Sequence, residues 1–316
     1  EYMRFVKGIV DSEDLPLNIS RETLQDNRIV GKLGKFLTKR IISFLQDKAK
    51  DDPEKYLEFY KKFHMFLKEG ANSDWENKEE LAKLLRFEST KTEKDKLTTL
   101  DEYISRMEKE QNEIYYLSGT SRASLENSPY LETFKSNDVE VLFLYEAIDD
   151  FVMTSLREFS GKKLVSADQS KLKMKSKKKD KTEKSEKATE KEVKKLAKWI
   201  KESNEAKLED VILSERLVDS PAILVNSDDM MTTQMQKILQ SAKGEMYSVG
   251  KKILEINPHH ELIQELARKK SNNADDSELS EYIQQMIDNA YMMAGLAVDQ
   301  NEFVKRAYRI MAKALK

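Results

Sequence analysis

Cysteine is absent from this chain. Its absence excludes a disulfide framework, a thiolate nucleophile and any cysteine-ligated metal, and it fits a reducing compartment. Long apolar runs are missing as well: no stretch reaches the roughly 18 residues needed to span a bilayer, and none near Glu1 has the make-up of a secretory signal. Neither of the glycine patterns that cradle phosphates occurs. The turn Ser118-Gly-Thr-Ser121 follows a strand-like run but lacks the glycines and lysine of a dinucleotide or P-loop fingerprint, so it reads as structural. Nor is there an excess of positive charge. The net charge is −2 although 35% of residues are charged, which argues against nucleic acid as a partner and for local segregation of sign.

What is present points to a modular protein. At 316 residues the chain exceeds one ordinary core and reads as two or three domains. It opens within an apolar run, Phe5, Val6, Ile9 and Val10, that reads as a short β-strand and suggests a piece of a longer protein. An acidic, proline-containing loop follows, and then a helix start that Ser20 can cap and at which Arg21 is presented. An arginine held there reaches either an anion brought from outside or the neighbouring Glu13 or Asp14.

Helical periodicity then takes over. Val30, Leu33, Leu37, Ile41 and Phe44 share one face, with Lys32, Lys35, Lys39 and Arg40 on the other. Asp52-Pro53 marks the next helix, whose stripe of Tyr56, Phe59, Tyr60, Phe63 and Phe66 reads as core and stops near Gly70. A third helix begins at Asn77, with Glu80 completing a capping-box pattern, and buries Leu81, Leu84 and Leu85. From Thr99 the elements alternate: a helix 100–107 capped by Thr99 with Glu102, a strand 114–117, a helix 128–134, a strand 139–145, a helix 148–159 and a short strand near Leu164. This alternation predicts a small, mostly parallel α/β sheet.

Between Lys171 and Lys195 stand about a dozen lysines with almost nothing apolar. The run reads as a solvated linker rather than an arm for membranes or nucleic acid, because the aromatics needed for base stacking are missing. Beyond it, Val193, Leu196, Trp199 and Ile200 open a second α+β region with strands around 208–213 and 216–225 and a Ser220-Pro221 turn. Asp228 and Asp229 suit the start of a helix on which Met231, Met235, Ile238 and Leu239 share a face, either core or a surface for varied apolar partners. His259 and His260 are adjacent and make a poor metal pair, so a cap or turn is the better reading and no metal site is expected. The chain closes on two stripes, Tyr282, Ile283, Met286, Ile287, Ala290, Tyr291, Ala294 and Val298, then Phe303, Ala307, Ile310, Met311 and Ala314. A hairpin of this size has too little protein of its own to cover both, so a two-fold partner completing a four-helix bundle is expected.

The run from Phe5 to Gln25 resembles the catalytic-loop segment of the heat-shock protein 90 family of ATP-dependent chaperones. The resemblance extends along nearly the whole chain, through Leu81–Phe87, Ile114–Leu117, Ser128–Tyr130, Glu140–Leu142, the methionine-bearing helix and the Asn-Pro-x-His turn. It implies an α+β protein: the end of a middle-domain subdomain (1–26), a three-helix unit (27–98), a small α/β subdomain (99–170), a charged linker (171–192) and a C-terminal dimerisation domain (193–316) ending in a helical hairpin. By the resemblance, Arg21 contacts the γ-phosphate of ATP and Gln25 lies beside it. The ATP, with Mg, is held by an N-terminal ATPase domain of the same protein, so this fragment would bind no cofactor and hydrolyse nothing alone. Met230, Met231, Met235 and Leu239 would hold client proteins. Ile283, Met286, Ile287, Ala290, Tyr291, Ala294, Phe303, Ala307, Ile310, Met311 and Ala314 would form the homodimer interface. The last residues, Ala312–Lys316, carry neither a Met-Glu-Glu-Val-Asp nor a Lys-Asp-Glu-Leu tail, and the run 289–296 resembles mitochondrial and bacterial members. A mitochondrial location is the expectation, with the bacterial cytoplasm or chloroplast as the alternative. A scaffold module without a nucleotide role is the rival function.

Overall fold

The computed structural model describes residues 1–11, 28–169, 188–226, 232–243, 250–272 and 275–315. Its elements are mixed helix and strand, and the strands form two small mixed sheets. The chain divides into two compact units, Glu1–Ile114 with Ile148–Leu164, and Tyr115–Ala147 with Val165–Lys316.

The first unit is chiefly helical. Helix α1 (Arg28–Asp51) buries Ile42 and Leu45 and leaves Phe44 exposed. The buried stripe is therefore one position beyond the expected Ile41 and Phe44, a rotation of about 100° that periodicity alone does not resolve when isoleucines stand side by side. Helix α2 (Pro53–Ser73) starts where the sequence says it should: Asp52 accepts from the Lys55 N–H, and Pro53 occupies the first turn, where its missing N–H costs nothing. Its tyrosines are anchored at both ends. Tyr56 and Tyr60 are buried, and their hydroxyls donate to the Leu84 and Arg86 carbonyls at 2.6 and 3.0 Å.

The apolar run at the start is not a strand. Residues 2–5 form a turn, and Val6, Ile9 and Val10 are exposed. The turn puts Tyr2 and Phe5 on one side, where the Phe5 ring sits 5.4–5.7 Å from Phe59, Phe63 and Phe66. Tyr2 donates to Asp74 at 2.6 Å. Aromatic packing against α2 thus replaces ladder hydrogen bonds.

The third helix, α3 (Lys78–Ala82), is only five residues long, and Asn77 does not cap it through its side chain, which donates to Asp74 instead. Leu81, Leu84 and Leu85 are nonetheless fully buried. After β1 (Glu88–Ser89) comes α4 (Leu100–Arg106), with the complete capping box of Thr99 and Glu102. Helix α7 (Ala147–Leu156) stops short of the expected Phe159 because Arg157, Ser160 and Gly161 take positive φ and fold β4 (Glu158–Phe159) back antiparallel on β5 (Lys162–Ser166).

The second unit holds two apolar cores. In one, β2 (Glu113–Ser118) runs parallel to β3 (Val141–Leu144), and the two are packed by α5 (Arg122–Glu126), a 3₁₀ turn at Pro129–Leu131 and α6 (Glu132–Asn137). The expected 128–134 helix is thus split in two, and α5 is additional. In the other, β6 (Leu208–Leu213), β8 (Lys252–Ile256) and β7 (Ala222–Val225) lie in the order β6-β8-β7, with β6 parallel and β7 antiparallel to β8. Helices α8 (Glu190–Ser203), α10 (Glu261–Ser271) and α11 (Asp276–Met293) contribute buried residues to the same core. Helix α9 (Thr233–Lys243) precedes β8, and α12 (Gln300–Ala314) closes the chain.

The unit boundary does not fall at the lysine run, because polar clasps tie residues 130–132 to residues 218–224 across it. The buried Tyr130 hydroxyl donates to the Leu224 carbonyl, and the Glu132 carboxylate accepts from the Val218, Asp219 and Ser220 N–H groups at 2.6, 2.9 and 3.3 Å. Successive backbone N–H groups around one carboxylate make a directional joint that composition does not reveal.

Candidate functional site

Arg21 and Gln25 lie outside the described residues, as do Met230 and Met231. What the structure describes is the support of the helix that carries Met235 and Leu239, and the terminal hairpin.

Helix α9 is fastened by a buried polar cluster. Asp168, just after β5, accepts from the Ser166 hydroxyl at 2.6 Å, from the Asn226 side-chain amide at 2.9 Å and from the Thr233 backbone N–H at 3.0 Å. A carboxylate from far away in the chain thus satisfies an N–H of the first turn of α9, where the macrodipole favours negative charge. The expected donors of that charge, Asp228 and Asp229, lie outside the described residues. Asn226 also donates to Thr233 Oγ1 at 3.0 Å. The Lys252 ammonium, 1% exposed, donates to Asn226 Oδ1 and to Gln236 Oε1 on α9.

Burial pushes the Lys252 pKa down to about 8, against a favourable pull from Asp168 and with a further push from Lys237. The folded protein therefore releases a proton that the unfolded chain keeps up to the ordinary lysine range near about 10.4. Below pH 8 the buried charge weighs against folding. Between pH 8 and about 10.4 stability rises, by about 3 kcal/mol for the whole interval. Denaturant titrations of the wild type and Lys252→Met at pH 7.5 and 10 isolate this contribution: the difference in unfolding free energy should move in favour of the wild type at the higher pH.

Beside this cluster lies a cleft of ≈ 220 Å³, lined among others by Ser118, Ser128, Thr232, Lys237, Met292 and Met293. Its lining combines hydroxyl-bearing residues, Asp168 and Lys237 with two exposed methionines. Gly295 closes the α11 end at φ +69°, a left-handed turn that favours glycine. Met235 and Leu239 on α9 are half-buried. His260 turns out to be a cap: its Nδ1 accepts from the Leu262 N–H at 3.1 Å at the start of α10.

The hairpin differs from its pattern. Ile283, Met286, Ile287, Ala290 and Ala294 are buried in the chain's own core with β6, β7, β8, α8 and α10, and Tyr291 packs half-buried against it. The first stripe is covered not by the hairpin itself but by the three-stranded sheet with α8 and α10. On α12, Phe303, Ala307 and Ile310 are half-buried and Ala314 is exposed. The turning device is Arg306, an unexpected buried charge that pairs with Asp288 on α11. The large apolar side chains left in solvent here are Val304, Tyr308 and Met311 on α12 and Leu315 at its C-cap, 45, 65, 51 and 90% exposed. Their 4-3-4 spacing is an apolar heptad seam. Of the expected α12 set only Met311 lies on it. Among the described residues no His, Asp or Glu group could hold a metal ion, and no helix is long and apolar enough to cross a membrane.

A family model described as Hsp90 protein matches residues 1–316. The chain belongs to the Hsp90 family. It is 42% identical over 319 residues to the chaperone protein HtpG of Desulfotalea psychrophila, covering 99% of this chain and 51% of that one. It is 43% identical over 316 residues to HtpG of Desulfitobacterium hafniense (100% and 51%) and 40% over 315 residues to HtpG of Legionella pneumophila (99% and 49%). The chain thus spans about half the length of the Hsp90-family relatives it matches. Those relatives are bacterial. They fit the bacterial alternative and give no support to the mitochondrial location expected from the run 289–296.

Proposed function

We propose that this chain is the middle and C-terminal portion of an ATP-dependent chaperone of the bacterial cytoplasm. It supplies three parts. Arg21, with Gln25 beside it, contributes positive charge to the γ-phosphate of an ATP, with Mg, bound by another domain of the same protein. Met235 and Leu239 on α9, with Met230 and Met231 before it, hold unfolded client segments. The exposed α12 seam joins two copies. The observation that carries this reading is the family match along the whole chain, and the amphipathic α9 beside a methionine-rimmed cleft supports its client part.

The client role is physically apt. A thioether is polarizable and unbranched, so a face of Met and Leu accepts side chains of varied shape without demanding one. Whole protein carrying Met235→Ser with Leu239→Ser should suppress aggregation of a heat-denatured test protein at least about fivefold less well, since two apolar anchors of about 1.5 kcal/mol or more each are lost. Light scattering during heating measures this. Undiminished suppression would refute the client assignment and leave the scaffold role as the better reading.

A further inference from the structure

We infer that Asp168, Asn226 and Lys252 form a polar latch that sets the pose of α9, and with it the presentation of Met235 and Leu239. This deepens the client reading above and rests on it.

The argument begins with what buries α9. Among its described side chains the buried ones are polar, Thr233 and Gln236, whereas Met235, Ile238 and Leu239 are only half-buried. An ordinary amphipathic helix is held the other way, by an apolar stripe in the core. Here the attachments are directional. Asp168 accepts from the Thr233 N–H at the first turn, and Lys252 takes Gln236 one turn later while also holding Asn226. With the Asn226 amide on Thr233 Oγ1, that makes three non-collinear attachments within one turn, enough to fix both the axis of the helix and its rotation.

The chemistry of the latch fits control of pose better than strength of packing. Buried charged and amide groups add little net stability over apolar residues of the same shape, yet they accept only one geometry. Every member is matched: the Asn226 amide reaches Asp168 and Thr233, its oxygen receives Lys252, and Ser166 takes the other Asp168 oxygen. The apolar face of α9 stays available because the helix is not fastened through it. Releasing Lys252 should therefore loosen α9 while leaving the two apolar cores of the unit intact.

The test uses the whole 316-residue chain with Lys252→Met, and Leu239→Ser as the reference. Hydrogen exchange followed by mass spectrometry should show amides of 233–239 exchanging at least about tenfold faster in Lys252→Met, with 261–271 and 276–293 changed less than about twofold, because opening is local. Affinity for reduced, carboxymethylated α-lactalbumin, which stays unfolded, should fall about fivefold or more, as the loss of an ordered binding face predicts. Faster exchange throughout the unit, or none in 233–239, overturns the latch. If Leu239→Ser weakens binding and Lys252→Met does not, the latch is also overturned. If Leu239→Ser has no effect, the client reading fails, and the exchange result alone still decides the latch. Should Lys252→Met fail to fold, Asp168→Asn, which keeps the shape and weakens the cap, is expected to show the same confined pattern.

Discussion

Arg21→Ala in the whole protein should lower ATP turnover by about 100-fold while nucleotide affinity changes less than about threefold. The asymmetry follows from where the charge is. In phosphoryl transfer, negative charge redistributes over the transferring group and the leaving oxygen, and a guanidinium contributed from another part of the chain meets that charge chiefly in the transition state. A group that acts there raises turnover without tightening ground-state binding. Arg21→Lys should recover only part of the loss, because an ammonium keeps the charge but not the planar fork of donors. Steady-state turnover and a separate equilibrium measurement of nucleotide binding check the split. Unchanged turnover in Arg21→Ala would refute the assignment, and a loss confined to affinity would make Arg21 a binding residue instead.

Tyr308→Asp with Met311→Asp should convert a dimer of this chain into a monomer, weakening association by at least about 10³-fold. Two-fold symmetry doubles each substitution, so four apolar side chains leave the interface, each worth about 1.5–3 kcal/mol if fully buried there. The exposed seam of Val304, Tyr308, Met311 and Leu315 has the spacing that lets two helices interlock, and Asp288 holds Arg306 so that this face looks outward. Sedimentation of the wild type and the variant from 1 to 100 μM, an interval chosen to span about two decades of affinity, reads the result. A wild-type chain that stays monomeric throughout, or a variant that still dimerises, would end the proposal. Ile287→Asp is the informative contrast: Ile287 is fully buried in the chain's own core, so its replacement should unfold the unit rather than dissociate it.

The elements read most faithfully from sequence were those with local chemistry. Asp52-Pro53 and Thr99 with Glu102 place helix starts to the residue, because a cap uses atoms three residues apart. The strand at Ile114–Leu117 needed only an apolar run. Elsewhere local signals ran out. Arg157 and Ser160 adopt left-handed backbone that no residue preference announces, so a hairpin stood where a longer helix was expected. The run at Phe5–Val10 has strand composition, yet its aromatic ring found the α2 stripe, a competition between partners that a single segment does not contain.

The amino-acid order by itself determined the family, the mixed α+β composition and the absence of thiol chemistry, since each depends on residue types and their spacing, and the resemblance to the family made Arg21 a candidate phosphate contact. The tertiary structure alone decided which apolar stripes are spoken for. Helix α11 turned inward because a three-stranded sheet supplies its partner, and α12 turned its other face outward because a buried arginine on it meets Asp288. It alone also revealed that α9 is held by Asp168 and Lys252, residues brought together across the chain. Hydrogen bonds and ion pairs between distant residues leave no period in a sequence, and burial is a property of neighbours rather than of the residue itself.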